Sequence, residues 1–595
     1  MTRVADYVME FLVSRGVRHV FMLPGGGAMF LDDALGRNRD LEYTCFLHEQ
    51  ALAIACEAYG QHTNMPGVGL VTSGPGSTNA ITGVAAAWID STPCVFLSGQ
   101  AKRQTLKGDS GVRQMGSQEV DIVSMVSCIT KYAVTVMEPE DIRYHLEKAW
   151  HEATTGRKGP VWLDIPLDVQ STEIDVAGLR AFEPPVRAAE DAVDARAVDE
   201  VVARLEKSRR PLILVGNGVK LAGAGDLVRE FAGKHRIPML LTWKTADFLD
   251  FDHPLNFGFP GGMGSRYANF ALQNCDFLLV LGSRLDPSLT AFNPSHFGFR
   301  AFKAMVDIDE AEMRKIPDVP LKIRADAADF MRELASREIA VPETSRWRSW
   351  CAALKEKYPA VEPGSDGGDA APVDLYRFTL ELCRQLASGD VIVPESSGSA
   401  GEATYQALRV KAGQSIKNAA GLGSMGFGLP YAIGSCIAMD RRRTVLINGD
   451  GAFQLNIQEL ETLKRLNLPV AIFIFDNGGY GTIANTQNNL FGGFHVGADP
   501  ASGLTLPDLV KVAAAYGLET FEIASNGELA RGISETLRAG VPALCRVKVR
   551  ADHRITPRVQ SLKLADGTMV SKTLEEMSPL LDAAETAEIM KGPVE

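Results

Sequence analysis

The chain is predicted to be an α/β protein of three doubly wound parallel-sheet domains followed by a C-terminal tail, a reading carried by three observations. Strand and helix patterns alternate, as in GVGLVTS, then STNAITGVAAAWID, then TPCVFLSG; this is the grammar of a parallel sheet covered by helices. Two breaker-rich stretches, STEIDVAGLRAFEPPVRAAEDAVDA and YPAVEPGSDGGDAAPVD, read as linkers and divide the chain into blocks at 1–170, 190–340 and 370–550, with a tail over 551–595. At 595 residues the chain also exceeds the roughly 250 to 300 residues at which a single core stops growing.

The opening MTRVADYVMEFLVSRGVRHVF reads as an amphipathic helix with Val4, Val8, Phe11 and Leu12 on one face. It lacks a signal peptide's apolar run and cleavage site, so a cytoplasmic location is expected. The middle block begins near PLILVGNGV. The window GLGSMGFGLPYAIGSCIAM is apolar but broken by glycines and Pro430, so it reads as a buried loop and helix and not as a membrane span. The tail, RITPRVQSLKLADGTMVSKTLEEMSPLL, reads as irregular before a short helical pattern.

Composition narrows the function. With 61 Lys and Arg against 73 Asp and Glu the net charge is −12, which provides no basic footprint for nucleic acid or an anionic membrane. Small-molecule partners are expected. The nine cysteines are scattered, with no CxxC and no adjacent His, so neither a zinc site nor a disulfide framework is indicated.

The most informative segment is TVLINGDGAF-QLNIQELETLKRLNL-PVAIFIFDNGGYG, a strand, loop, helix, strand and loop in which Asn477 follows Asp450 by 27 residues. A right-handed βαβ crossover brings two such loops side by side at the carboxyl ends of neighbouring strands. Asp450 offers an anionic oxygen and Asn477 a neutral one, while the surrounding glycines leave backbone groups open to a phosphate and an octahedral divalent ion. Taken alone, Gly-Asp-Gly and Asn477 could also be turn residues.

This layout resembles the signature of thiamine diphosphate enzymes, and the likeness continues through nearly the whole chain in the order of acetolactate (acetohydroxyacid) synthase large subunits. The resemblance implies pyrimidine-binding, central nucleotide- or FAD-binding and diphosphate-binding domains. It implies that Asp450, Asn477 and the backbone carbonyl of Gly479 bind Mg2+. Asp476 stands where relatives carry a first Asn. Gly449, Gly451, Ala452, Tyr480 and Gly481 fall within the same cofactor motif, and Gly423 and Met425 in GLGSMGFGLP match the segment that props the cofactor. By residue chemistry alone, Met425 reads as gap-filling core. Ser399 and Ala400 in SSGSAGE match the loop over the diphosphate, where many relatives have Gln-His.

In LEYTCFLHEQALAIACEAYG, Glu49 is by position a first-turn, dipole-stabilising residue. The resemblance makes it the carboxylate that hydrogen-bonds the aminopyrimidine and promotes loss of the thiazolium C2 proton. It also places Gly26 and Gln118 beside the donor, Gln118 being what remains of a Phe-Gln pair that reads Ser117-Gln118 here. SGPGSTN, Gly74 to Asn79, reads as an anion cradle or a structural turn. In the middle block, Gly216-Asn217-Gly218, Gly282-Ser283-Arg284 and Asp307-Ile308-Asp309 each follow a strand, and a lone GxG is weak evidence for a dinucleotide. In order and spacing they resemble the FAD loops of acetolactate synthases, as do Arg157 and Asp326; ADP or an empty site occurs in relatives.

Two acceptor-pocket residues depart from the synthases. Ser288 stands where an Arg contacts the second oxo acid's carboxylate, and Thr486 where a Trp favours 2-oxobutyrate. Loss of a charge-assisted contact argues for an acceptor without a carboxylate. The chain, tail included, looks like acetolactate-synthase-like proteins of nucleotide-sugar and lipopolysaccharide pathways. The implied activity is a carboligase that decarboxylates a 2-oxo acid, expected to be pyruvate, and transfers the two-carbon unit to a ketone or aldehyde, including a keto-sugar. The alternatives are an acetolactate synthase using a second pyruvate, a 2-oxo acid decarboxylase and an inactive binding subunit. The family's sites lie between subunits, which implies a homodimer or homotetramer.

Overall fold

A computed structural model describes residues 1–186, 192–359, 367–563 and 566–593. Residues 187–191 of the first linker (including the start of the 190–340 block), 360–366 of the second, and 564–565 and 594–595 of the tail lie outside the described residues. The first sheet comprises β1 (His19–Met22), β2 (Glu42–Cys45), β3 (Gly67–Val71), β4 (Cys94–Gln100), β5 (Tyr132–Thr135) and β6 (Pro160–Pro166), in the order β2-β1-β3-β4-β6-β5. The middle sheet comprises β7 (Pro211–Val215), β8 (Met239–Leu241), β9 (Phe277–Leu281), β10 (Phe302–Asp307) and β11 (Leu321–Arg324), in the order β8-β7-β9-β10-β11. The third comprises β12 (Val391–Pro394), β13 (Ser415–Ile416), β14 (Thr444–Gly449), β15 (Val470–Asp476), β16 (Glu519–Ile523) and β17 (Ala543–Lys548), in the order β13-β12-β14-β15-β17-β16.

All neighbours in these three sheets are parallel. The first and third sheets share one strand permutation, which no internal repeat in the sequence announces. Their central strands are covered on both faces, so GVGLV, CVFLSGQ and PVWLDIP are buried throughout. Burial on both sides is why these segments read as continuous apolar runs and not as alternating ones.

Helix α1 (Glu49–Thr63) is sandwiched between α2 (Pro75–Ile89) of its own block and a helix of the third block, Gly428–Ala438. The approach is close because the contact residues are small. A Cβ on Gly83 of α2 would sit 2.5 Å from the Ala53 Cβ, and one on Gly434 would sit 2.5 Å from the Ala55 carbonyl oxygen. One apolar core therefore runs through the first and third blocks.

The tail is more regular than its composition suggests. Arg558–Val559 pairs with Met577–Ser578 and Ser561–Lys563 with Met569–Ser571, both antiparallel, before the helix Ala583–Ile589. It packs on the middle block, where Arg266 donates to the Met577 carbonyl at 3.0 Å and Asn269 to that of Leu574 at 3.1 Å. The helix Ser345–Lys357, beyond residue 340, joins the same core, and Trp347 donates to the Pro211 carbonyl at 3.0 Å. The nine cysteines are free. No helix among the described residues is long and apolar enough to cross a membrane.

One buried carboxyl ties the first sheet together. Asp164 on β6 accepts from Ser98 Oγ at 2.6 Å and Gln100 Nε2 at 3.0 Å, both on β4, and from Thr135 Oγ1 at 3.1 Å on β5. Burial outweighs these donors and pushes its pKa up to about 7. A folded-state value raised above the ordinary 3.8 gives stability that is complete below the ordinary range and lost as pH rises through 7. Asp164→Asn should therefore remove a stability slope of up to about 1.4 kcal/mol per pH unit. Urea-unfolding midpoints of both proteins between the two pKa values test this; parallel curves would refute it.

Candidate active site

The carboxyl edges of the first and third sheets gather the motif residues. β14 and β15 run side by side with Gly449 opposite Phe475, so Asp450 and Asn477 emerge together. Asp450 Oδ2 accepts the backbone N–H of Asn477 at 3.1 Å and of Gly478 at 2.8 Å, and Oδ1 accepts that of Gly451 at 2.7 Å. Burial pushes the Asp450 carboxyl up to about 6 despite these donors. Above that value it is a poorly hydrated anion, which a divalent cation neutralises.

The Gly479 N–H donates to Asn477 Oδ1 at 3.2 Å, and a Cβ on Gly451 would lie 2.4 Å from the Tyr480 ring and 3.8 Å from the Gly479 carbonyl oxygen. A Cβ on Gly481 would lie 2.6 Å from Asn477 Nδ2. A side chain at either position would have to displace the Tyr480 ring or the Asn477 amide. Gly449 and Gly478 face open space, and Ala452 is buried beside them. One carboxylate, one amide and a backbone carbonyl are hard oxygen donors, a set that fits Mg2+ beside a diphosphate. Asp476 Oδ2 lies 4.0 Å from Arg546 Nε, and its like charge adds to burial in raising the Asp450 carboxyl.

Ser399 and Ala400 lie in the first turn of α3 (Gly398–Ala407), whose Gly398 would bring a Cβ within 3.5 Å of Thr482 Oγ1 on α5 (Gly481–Leu490). Two helix N-termini thus face one another across this edge, which suits an anion. The helix α4 (Gly428–Ala438) begins just after the half-buried Met425. Gly423 takes φ of 63°, and Asn456 donates to the Gly426 carbonyl at 2.8 Å. Beneath α4, buried Glu395 accepts the Gly428 N–H at 3.0 Å, and burial pushes its carboxyl up to about 7.

In the first block Glu49 opens α1 and is buried, capped by His48, whose ring accepts the Gln50 N–H at 3.1 Å. Asn79 of α2 donates to Glu49 Oε2 at 3.0 Å. The sequence offered Asn79 only as part of a turn; its contact arises because α1 and α2 pack. Gly26 faces open space, whereas Gly25 and Gly27 rest on Thr72 and Ser73. Gln118 has φ of 58°, and its carbonyl would be 2.4 Å from a Cβ on Gly74, just before α2. Gly26, Glu49, Gly74 and Gln118 therefore share the sheet edge. The same chain's third block touches this region, since Asn456 also donates to Gln50 at 3.0 Å.

The middle block bounds a cavity of about 580 Å³. Arg157, Asn217, Gly218, Gly282, Arg284, Asp307, Ile308 and Asp326 all line it. Gly216 lies behind, where a Cβ would sit 2.2 Å from the Gly282 carbonyl oxygen, so the two glycine loops meet back to back. Arg157 pairs with Asp309 at 2.7 Å and Glu312 at 2.9 Å, bridging two blocks. Arg284 donates to the Ile89 carbonyl at 3.2 Å. Asp326 caps the helix Ala327–Ala335. Burial raises the Asp307 carboxyl, which accepts the Asp309 N–H. A glycine-walled cleft with cationic and carboxylate groups fits a nucleotide. Ser288 lines this cavity, whereas Thr486 is exposed on α5.

Three family models match in succession: the thiamine pyrophosphate enzyme N-terminal TPP-binding domain over 2–125, the central domain over 198–334 and the C-terminal TPP-binding domain over 396–547. The chain belongs to the thiamine pyrophosphate enzyme family. Among its relatives, a probable acetolactate synthase large subunit of Methanocaldococcus jannaschii is 32% identical over 92% of this chain and 91% of its own. The acetolactate synthase isozyme 1 large subunit of Escherichia coli is 30% identical over 93% and 95%, and the isozyme 2 large subunit 31% over 96% and 100%. The chain is thus a thiamine diphosphate-dependent enzyme whose homologues are acetolactate synthases.

Asn79 is a site contact that the sequence alone did not reveal. If this hydrogen bond serves to orient Glu49 for proton transfer, Asn79→Ala should lower turnover by roughly one to two powers of ten, the equivalent of about 1.5–3 kcal/mol in the barrier. The thermal midpoint should stay close to that of the wild type. Unchanged turnover would exclude a role for this contact.

Proposed function

We propose that the protein is a thiamine diphosphate- and Mg2+-dependent carboligase that decarboxylates pyruvate and transfers the two-carbon unit to a neutral ketone or aldehyde, with a keto-sugar as one acceptor class. The observation that carries this reading is Ser288 in the wall of the central cavity, where a carboxylate-binding Arg is expected for a second oxo acid. Bound thiamine diphosphate supplies the electron sink for decarboxylation and carbon–carbon bond formation. Asp450, Asn477 and the Gly479 carbonyl hold the metal, and the N-termini of α3 and α5 face the diphosphate. Glu49, oriented by Asn79, manages the proton at the aminopyrimidine, with Gly26 and Gln118 beside the donor. FAD fills the central cavity in a non-redox role, because the chemistry moves carbon and needs no hydride acceptor.

A second reading, acetolactate synthase, is favoured by the names of the relatives. A homodimer or homotetramer is supported by the exposed Leu490, Phe491, Phe494 and Val496 following the metal loop, an apolar group that association would cover.

Mass spectrometry of small molecules released from the purified protein should find thiamine diphosphate and FAD. Asp450→Ala should lose the former and keep the latter; full retention of thiamine diphosphate would remove Asp450 from the site. With pyruvate as donor, neutral carbonyls should outcompete pyruvate as acceptor, and Ser288→Arg should raise acetolactate output by roughly one to two powers of ten. Acetolactate as the dominant product with every acceptor, together with no response to Ser288→Arg, would establish the second reading.

A further inference from the structure

Where the three blocks meet, a buried knot of charge belongs to neither the metal loop nor the aminopyrimidine contacts. Asp247 of the middle block pairs with Lys220 and accepts from the third block three times, from Lys417 Nζ at 3.0 Å, the Ile416 N–H at 3.2 Å and Ser415 Oγ at 3.2 Å. The next residue along, Asn418, is held by the middle block too: its carbonyl accepts from Lys244 Nζ. Lys244 Nζ in turn lies 2.7 Å from Asp90 Oδ2 of the first block, in an ionic contact outside hydrogen-bond alignment. Asp90 stands against Gly421, where a Cβ would fall 2.2 Å from Asp90 Oδ1. Lys244 and Asp90 side chains are 13% and 4% exposed.

Two features give this contact a functional direction. Asp90, Lys244, Ala420 and Gly421 all line the central cavity, so its wall is also the root of the loop that continues through Gly423 to Met425. The start of the loop is also anchored within the third block, by Asn418 Nδ2 to the Glu395 carbonyl at 3.3 Å, Tyr405 OH to Asn418 Oδ1 at 3.2 Å and Ala419 N–H to Ser396 Oγ at 3.1 Å; from Gly421 to Met425 the hydrogen bonds are local, Gly423 N–H to the Ala419 carbonyl at 3.2 Å and Ser424 Oγ to the adjacent Met425 carbonyl. A largely enclosed cation that donates to a backbone carbonyl and is neutralised by a buried carboxylate is costly to break, because the carboxylate left alone is an unpaired buried charge.

We propose that Lys244 is a positioning residue that fastens the wall of the central cavity to the Asn418–Met425 loop, so that filling the cavity orders the segment supporting thiamine diphosphate. The inference rests on the cofactor placement given above.

Hydrogen–deuterium exchange of the purified full chain, freed of small molecules, tests the tie without any cofactor. Lys244→Met removes the tie but strands Asp90. The pair Asp90→Asn with Lys244→Met removes both charges of the tie together, taking from buried Glu57 the cation that lowers its carboxyl and the carboxylate that raises it at once, which guards against simple unfolding. Exchange over 418–425 should quicken about tenfold or more in the double variant while the sheet strands stay protected. The apparent affinity for thiamine diphosphate should fall about tenfold, with KM for pyruvate unchanged. Added FAD should slow exchange over 418–425 in the wild type and leave the double variant unaffected. Unchanged exchange in the double variant, or FAD protection that persists in it, would overturn the proposal. Failure of FAD to bind the wild type would instead overturn the cavity assignment and the proposed coupling, while the ligand-free comparison still decides whether Lys244 holds the loop.

Discussion

The close approach of α1 to α2 and α4 is the constraint on which the remaining geometry depends. Alanines on α1 and glycines at positions 83 and 434 let helix backbones come nearly into contact, and packing at that distance leaves little freedom to slide. Glu49 at the start of α1 is consequently held where Asn79 of α2 reaches it, and the loop ending at Gly426 is held near Gln50 through Asn456. Larger side chains in this seam would separate the first and third blocks.

The parallel sheets decide where that chemistry is displayed. Every strand of a parallel sheet ends on the same edge as its neighbours, so Gly26, Glu49, Gly74 and Gln118 meet on one edge and Asp450 and Asn477 on another. The central strands beneath are dry, which raises the cost of any ionised group there. Asp164, Glu395 and Asp450 all have pKa values raised by burial, yet only Asp450 stands in a loop opened by glycines. The contrast separates a structural carboxyl from one suited to a cation: Asp164 has three side-chain donors, while Asp450 is left to backbone N–H groups.

The central cavity is a property of the assembly and not of the middle block alone. Its wall takes Asp90 and Arg157 from the first block and Gly421 from the third, and the ion pairs of Arg157 and Lys244 cross block boundaries. Charges recruited from distant parts of the chain make the cleft sensitive to how the blocks sit together.

Local chemistry was enough to read the α/β class and the juxtaposition of Asp450 with Asn477, because each depends on periodicity or a single βαβ crossover of short range. The glycine pairs of the middle block were legible as loops after strands. What only the tertiary structure decided were contacts between residues far apart in sequence: Asn79 with Glu49, Lys244 with Asp90 and Asn418, and the tail segment 574–579 on the helix Arg266–Asn274. A helix face says which residues point inward but not which partner they will meet, and a half-buried Lys such as Lys244 resembles a surface Lys until a carboxylate from another block is brought against it. The shared strand permutation of the first and third sheets was likewise invisible, since strand order is set by packing across the sheet and leaves no repeat in the residues themselves.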